Sequence, residues 1–219
     1  MCFASAYYLY TMQLLFSNIP PFIDWLIQGD KKLFFLINNT YTNPWLDSIY
    51  PWWREANTWV PLYVFFLAFM FLNFGKRAWP WVAFVILNLT LSDQISSNLI
   101  KNYFHRLRPC SDPEMQYQVR LLLDYCSGGY SFTSSHATNG FCFVMFITQT
   151  LKPYLTKFRW PFFLWAGSIA YGQVYVGVHY PLDIFAGTLL GCGIGYMVAS
   201  FYNRRVAAFF PLVLRDKAS

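Results

Sequence analysis

The chain has 219 residues, of which 56% are hydrophobic, 22% aromatic and only 12% charged, against roughly a quarter charged in an average soluble domain. That balance excludes a disordered chain and argues against an ordinary cytosolic domain; with a mean hydropathy of +0.32 it fits a single polytopic membrane domain over 1–219. The net charge of +6 sits in short Lys and Arg clusters between apolar runs, which reads as membrane topology, with the bilayer as partner and no nucleic acid.

Met1 to Ile19 carries no charge and could be a sixth span or an apolar segment that does not cross; it lacks the basic start of a secretory signal. Phe22 to Asn38 mixes Asp24, Asp30, Lys31 and Lys32 with large apolar residues, the pattern of a helix lying in the outer interface. Five runs then have the length to cross a hydrocarbon core of about 30 Å at roughly 1.5 Å per residue. They are Ala56 to Gly75, Ala78 to about Lys101, Phe132 to Leu151, Trp160 to Val178 and Pro181 to Tyr202. Trp59, Trp79, Trp81, Trp160, Tyr180 and Tyr202 mark their ends as an interfacial belt would. The predicted fold is therefore an all-α polytopic membrane protein with five transmembrane helices and an outer interfacial helix. An N-terminal apolar and interfacial region (1–58) precedes a helical core (59–203).

Laid end to end, these spans put Lys76, Arg77, Lys152, Lys157, Arg159, Arg204, Arg205, Arg215 and Lys217 on one side, nine of the 16 basic residues, with Asp216 as their one acidic companion. By the positive-inside rule that side and the C-terminus are cytoplasmic. The segment from Asn102 to Thr133 then faces out. All three histidines, His105, His136 and His179, fall at the outer ends of spans, and a single interfacial histidine is more often structural than three so placed.

The first stretch, Lys101 to Pro109, would carry Lys101, His105 and Arg108 on one face if the helix continued outward, presenting two fixed cations; snorkelling at the interface is the plainer reading. The second, Phe132 to His136, offers Ser134 and Ser135 as helix caps beside unpaired first-turn amides that can hold an anion, with an imidazole in place to donate a proton. In the third, His179 to Asp183, Pro181 suits the first helical position, and Asp183 would fall in the first turn near His179. A carboxylate that fixes one imidazole nitrogen leaves the other free to attack.

These three stretches resemble the signature motifs of the type 2 phosphatidic acid phosphatase superfamily, K-x6-R-P, P-S-G-H and S-R-x5-H-x3-D. Lys101, Arg108 and Pro109 match the first; Ser134 and His136 match the second, with Thr133 and Ser135 replacing Pro and Gly; His179 and Asp183 match the third, with Gly172 and Gln173 where Ser and Arg are usual. The resemblance covers roughly residues 59 to 203. It implies a cofactor-free, metal-independent phosphatase in which His179 attacks phosphorus, Asp183 orients it and His136 protonates the leaving oxygen. Lys101, Arg108, Ser134, the amide of Ser135 and, as a neutral donor, Gln173 would hold the phosphoryl oxygens. Arg106 or His105 could compensate for the missing arginine or be plain interface residues. The implied substrate is a membrane lipid carrying a phosphate or diphosphate, a polyprenyl diphosphate, lipid A or a phospholipid phosphate, and the implied setting is a bacterial inner (cytoplasmic) membrane with the site facing the periplasm or the cell exterior. A lipid phosphotransferase, or a weakly catalytic lipid-phosphate binder, is the alternative. Cys110 and Cys126, both in the outer segment, could pair as a disulfide under oxidising conditions. No Cys/His or carboxylate cluster has metal-ligand spacing.

Overall fold

The computed structural model describes residues 20–155 and 158–213. Met1 to Ile19, the candidate sixth span, lies outside the described residues, as do Lys157, Arg215, Asp216 and Lys217 of the basic side. Every regular element among the described residues is helical. The main helices are α1 (Pro21–Phe35), α2 (Pro44–Trp53), α3 (Val60–Phe74), α4 (Ala78–Asp93), α5 (Ser135–Thr150), α6 (Trp160–Tyr175) and α7 (Pro181–Phe201). Prolines open α1, α2, α3, α6 and α7 within their first two positions, where the missing N–H has no helical acceptor to lose. The helical stretches Ala56–Ser111 and Pro181–Val206 are long and apolar enough to cross a membrane. Gly75, at φ 58°, breaks the first of them between α3 and α4.

The closest helix contact is between α5 and α7. Gly187, Gly191 and Gly195 recur every fourth residue, so they line one face of α7. A Cβ at Gly187 would stand 2.8 Å from the Ser134 carbonyl oxygen, and one at Gly191 would collide with the Thr138 carbonyl. Bare backbone is what lets the two helices touch, the small-residue packing that membrane helices use in place of a hydrophobic driving force. It sets the start of α5 beside the start of α7. Running antiparallel, α4 is tied to α5 by Trp81 Nε1 donating to Thr150 Oγ1 (2.8 Å), Asn88 Nδ2 to the Cys142 carbonyl (3.1 Å) and Ser92 Oγ to Asn139 Oδ1 (2.6 Å). The end of α4 thus meets the starts of α5 and α7 at one end of the bundle. Met70, Phe74, Trp81, Phe146 and Tyr202 form the main apolar core. Large apolar side chains point outward all round, among them Leu72, Ile86, Leu164, Phe185 and Met197, a surface suited to lipid.

Two sequence expectations change. The helix ends at Phe104, because His105 adopts a left-handed conformation (φ 49°); His105 therefore leaves the face of Lys101, and Arg108 reaches the site from an extended loop. Before α3, α2 is an additional helix. Asn43 Oδ1 caps it by accepting from the Trp45 amide at 2.8 Å, while Pro44 and Pro51 within it obscure its pattern in the sequence. The stretch expected to lie at the interface, Phe22 to Asn38, is helical: it is α1, extended by a π-helical turn to Thr40.

Candidate active site

His179 sits in the short link between α6 and α7, buried to 2% exposure. Asp183, in the first turn of α7, accepts from the Tyr180 amide through Oδ2 at 2.9 Å, so the cap that starts the helix also fixes the carboxylate. His179 Nδ1 lies 3.5 Å from that oxygen. Ser131 bridges the two, donating to Asp183 Oδ2 and lying 3.3 Å from Nδ1. On the other side of the ring Arg108 Nη1 is 3.0 Å from Nε2 and donates to the Val178 carbonyl at 3.1 Å. A guanidinium can only donate, so Nε2 presents its lone pair and Nδ1 carries the proton toward Asp183. Burial first, then the charges of Arg108 and Lys101, push the imidazole pKa down to about 4 against the pull of Asp183. The ring is neutral at physiological pH.

The other carboxylate oxygen of Asp183 is held by a residue with no motif position. Arg106 Nη1 meets Asp183 Oδ1 and Nη2 meets Asp30 Oδ2, both at 2.6 Å, with the guanidinium carbon 4.0 Å above the Tyr180 ring. Asp30 in turn accepts from the Leu182 amide at 2.8 Å. Burial opposes the charge on Arg106, but Asp183 and Asp30 outweigh it and raise its pKa. Arg106 locks Asp183, and through Asp30 it locks α1 onto the start of α7. Ser131, Arg106 and Asp30 escaped sequence reasoning because their roles depend on partners 52 to 77 positions away.

At the start of α5, Ser134 is the N-cap, its Oγ accepting from the Ala137 amide at 3.4 Å and its own N–H donating to the Asp183 carbonyl at 3.1 Å. Ser135 and His136 follow in the first turn, where a helix has no internal acceptor for their N–H groups. They line a cavity of about 230 Å³ together with the polar Arg54, Asp93 and Asn139 and the apolar Phe143 and Trp165. Ser135 Oγ is 2.9 Å from Ser97 Oγ, and Ser97 donates to Asp93 Oδ1 at 3.1 Å, which gives Asp93 a bonded, structural place. Arg54, Lys101 and Arg108 all lie within electrostatic range of His136. Gln173, fully buried, accepts from Arg54 Nε at 3.0 Å.

In the segment between Phe104 and Ser135, Cys110 and Cys126 are joined by a disulfide with Cα atoms 5.8 Å apart. Arg120 anchors the same segment, pairing with Asp47 at 2.7 Å and donating to the Asn38 carbonyl at 2.8 Å. Among the described residues no three His, Cys, Asp or Glu side chains converge as a metal-binding group.

Residues 81–207 match the model of the PAP2 superfamily. The lipid A 4'-phosphatase of Porphyromonas gingivalis is 30% identical over 182 residues, 82% of this chain and 75% of the relative, and that of Bacteroides thetaiotaomicron is 30% identical over 85% of this chain and 82% of the relative. The phosphatidylglycerophosphatase B of Bacillus subtilis is 27% identical over 69% of this chain and 76% of the relative. Among solved structures, Aquifex aeolicus LpxE is 27% identical with a TM-score of 0.56, over 77% of this chain and 93% of the other. The transmembrane PAP2-type phosphatidylglycerolphosphate phosphatase of Bacillus subtilis, at 22% identity, shares the fold with a TM-score of 0.62 over 94% of this chain and 98% of the other. With Lys101, Arg108, His136, His179 and Asp183 gathered at one end of a helical bundle, and with these likenesses covering most of its length, the chain belongs to the PAP2 superfamily.

Proposed function

We propose that the protein is an integral membrane phosphatase that removes a phosphate group from a lipid through a phosphohistidine. The observation that carries this reading is the His179 ring: neutral, buried, its Nδ1–H directed at Asp183 and its Nε2 lone pair directed at Arg108. A phosphoryl group attracted by Arg108 would replace the guanidinium in front of Nε2, at the place where attack must occur. The N–P bond forms as the P–O bond to the lipid breaks, and His136 in the adjoining cavity supplies a proton to the leaving oxygen. Water then attacks phosphorus, releasing phosphate and the neutral ring, with His136 taking the proton back. Phosphoryl transfer asks mainly for positioning and charge neutralisation. Arg108, Lys101 and the first-turn amides of α5 provide both without a metal or cofactor. In this reading α3 to α7 make five spans, the site opens on the periplasmic face of a bacterial inner membrane, and the cavity between α3, α4, α5 and α6 receives the part of the lipid next to its phosphate.

Lipid A is the first substrate to test, since two relatives carry that activity in their names over more than four-fifths of this chain. Purified protein in detergent should release phosphate from lipid A, and the rate should be unaffected by EDTA. Phosphatidylglycerol phosphate and undecaprenyl diphosphate serve as comparison substrates. Absence of phosphate release from all three lipids would overturn the reading, and loss of activity in EDTA would overturn the metal-free mechanism. Appearance of the phosphoryl group on an acceptor lipid in place of water would instead identify a phosphotransferase.

A further inference from the structure

We infer that Arg54, a residue outside all three motifs, is a phosphate-binding cation of the site and replaces the arginine that the third motif lacks. This rests on the phosphatase reading above. Arg54 immediately follows α2 and is only 5% exposed, yet it lines the same cavity as His136 and Ser135. Burying a guanidinium is costly unless its hydrogen bonds are met by charge. Here one arm pairs with Glu55 at 2.7 Å, whose own side chain is half exposed, and Nε meets only a neutral amide, Gln173. No hydrogen bond joins Nη2 to another described residue. The buried cation is therefore only partly compensated, beside a cavity that also holds a general-acid candidate, as an anion site requires.

Both departures in the third motif face this one element. At Gly172 a Cβ would stand 2.7 Å from Tyr50 Cδ1 in α2, so a serine there is incompatible with the position of Tyr50. At Gln173 the side chain takes Arg54 Nε on its oxygen. Because a guanidinium only donates, that bond fixes which end of the amide faces Arg54. Gln173 Nε2 is left as a fully buried donor with no partner. The two substitutions thus admit α2 against α6: the glycine makes room for Tyr50, and the glutamine holds Arg54 where it adds the positive charge. Trp53, whose Nε1 donates to Ser168 at 2.9 Å, pins the same turn. A phosphoryl oxygen would be bound by Arg54 and by the free Gln173 N–H.

The test measures binding of orthovanadate, a phosphate analogue, by calorimetry, and kcat/KM on lipid A, for four forms of the protein: wild type, Arg54→Ala, Arg54→Lys and Arg54→Ala/Gln173→Arg. Loss of one charge-assisted donor to the transition state should lower kcat/KM about 100-fold in Arg54→Ala and weaken vanadate binding by at least roughly tenfold. Arg54→Lys and the double variant should each regain part of both, since each returns a cation to the same place. If Arg54→Ala does not fold, Arg54→Gln replaces it, with the same expected loss. Wild-type vanadate affinity in the alanine or glutamine variant would overturn the inference. So would a loss that neither Arg54→Lys nor the relocated arginine recovers, which marks Arg54 as a structural prop. A wild-type protein that binds vanadate in an Arg54-dependent way but hydrolyses no lipid phosphate would instead refute the proposed substrate class and leave the anion site standing.

Discussion

His179 is held by three different neighbours, and each constrains a different property of the ring. Asp183 sets the tautomer, Ser131 fills the 3.5 Å gap between them, and Arg108 marks where the lone pair points. In the proposed mechanism attack and proton donation fall to separate residues, so their losses should be distinguishable. His179→Ala should abolish both turnover and the acid-labile phosphoenzyme, whereas His136→Ala should still accumulate phosphoenzyme from an aryl phosphate whose leaving group needs no proton. Equal loss in the two variants, measured by acid-quench trapping, would remove the division of labour. The same ring makes a stability prediction. Its folded pKa, about 4, lies below the ordinary 6.5, so the unfolded chain takes up a proton that the folded one refuses. The contribution is complete above pH 6.5 and is lost as the pH falls toward 4, amounting to about 3 kcal/mol at most. In detergent, the melting temperature of the wild type should fall between pH 6.5 and 4 more steeply than that of His179→Gln; parallel curves would show that His179 titrates normally.

At the level of elements, the site exists because α5 and α7 touch along bare backbone. Gly191→Ala places a methyl group against the Thr138 carbonyl and should destabilise the bundle by about 1–3 kcal/mol, pushing His136 and Asp183 apart and reducing kcat with it. Gly193, on the same helix, has nothing within 4 Å of its Cβ position, so Gly193→Ala should be neutral or slightly stabilising, by up to about 1 kcal/mol from helix propensity. A melting-temperature comparison checks both; equal responses would mean that the glycine seam does not limit packing. The long helices were legible from sequence because apolar runs of bilayer length have few alternatives, and the start of α7 was legible because Pro181 and Asp183 have fixed places in a first turn. Two features were not. In α2 the two prolines and a mixed aromatic and polar content hide its helical period, and with it Arg54. The spacing of Gly187, Gly191 and Gly195 was visible in the chain, but the partner helix was not. Arg106 and Asp30 were unreadable for another reason: an ion pair across 76 positions leaves no local pattern.

Across the whole molecule charge is divided by kind as well as by amount. Arg54, Arg106 and Arg108 gather at one end of the bundle with Asp30, Asp183 and the two histidines, where the arginines are matched to carboxylates, carbonyls and the cavity. Lys76 and Arg77 between α3 and α4, Lys152 after α5, and Arg204 and Arg205 after α7 occupy the opposite end, with no acidic side chain beside them among the described residues. Only the second cluster has the character of a topology signal, because exposed Lys and Arg in short loops resist translocation while paired, folded arginines belong to a site. The expected orientation therefore puts the disulfide segment and the site on the outside. Tyr117, 92% exposed in that segment, and Arg204, exposed after α7, report on the two faces. In intact cells an impermeant maleimide should label Tyr117→Cys and leave Arg204→Cys unlabelled until the membrane is permeabilised. Labelling of Arg204→Cys alone would invert the orientation and move the reaction to the cytoplasmic leaflet, while labelling of both in sealed cells would be incompatible with a bundle that separates its ends across the bilayer.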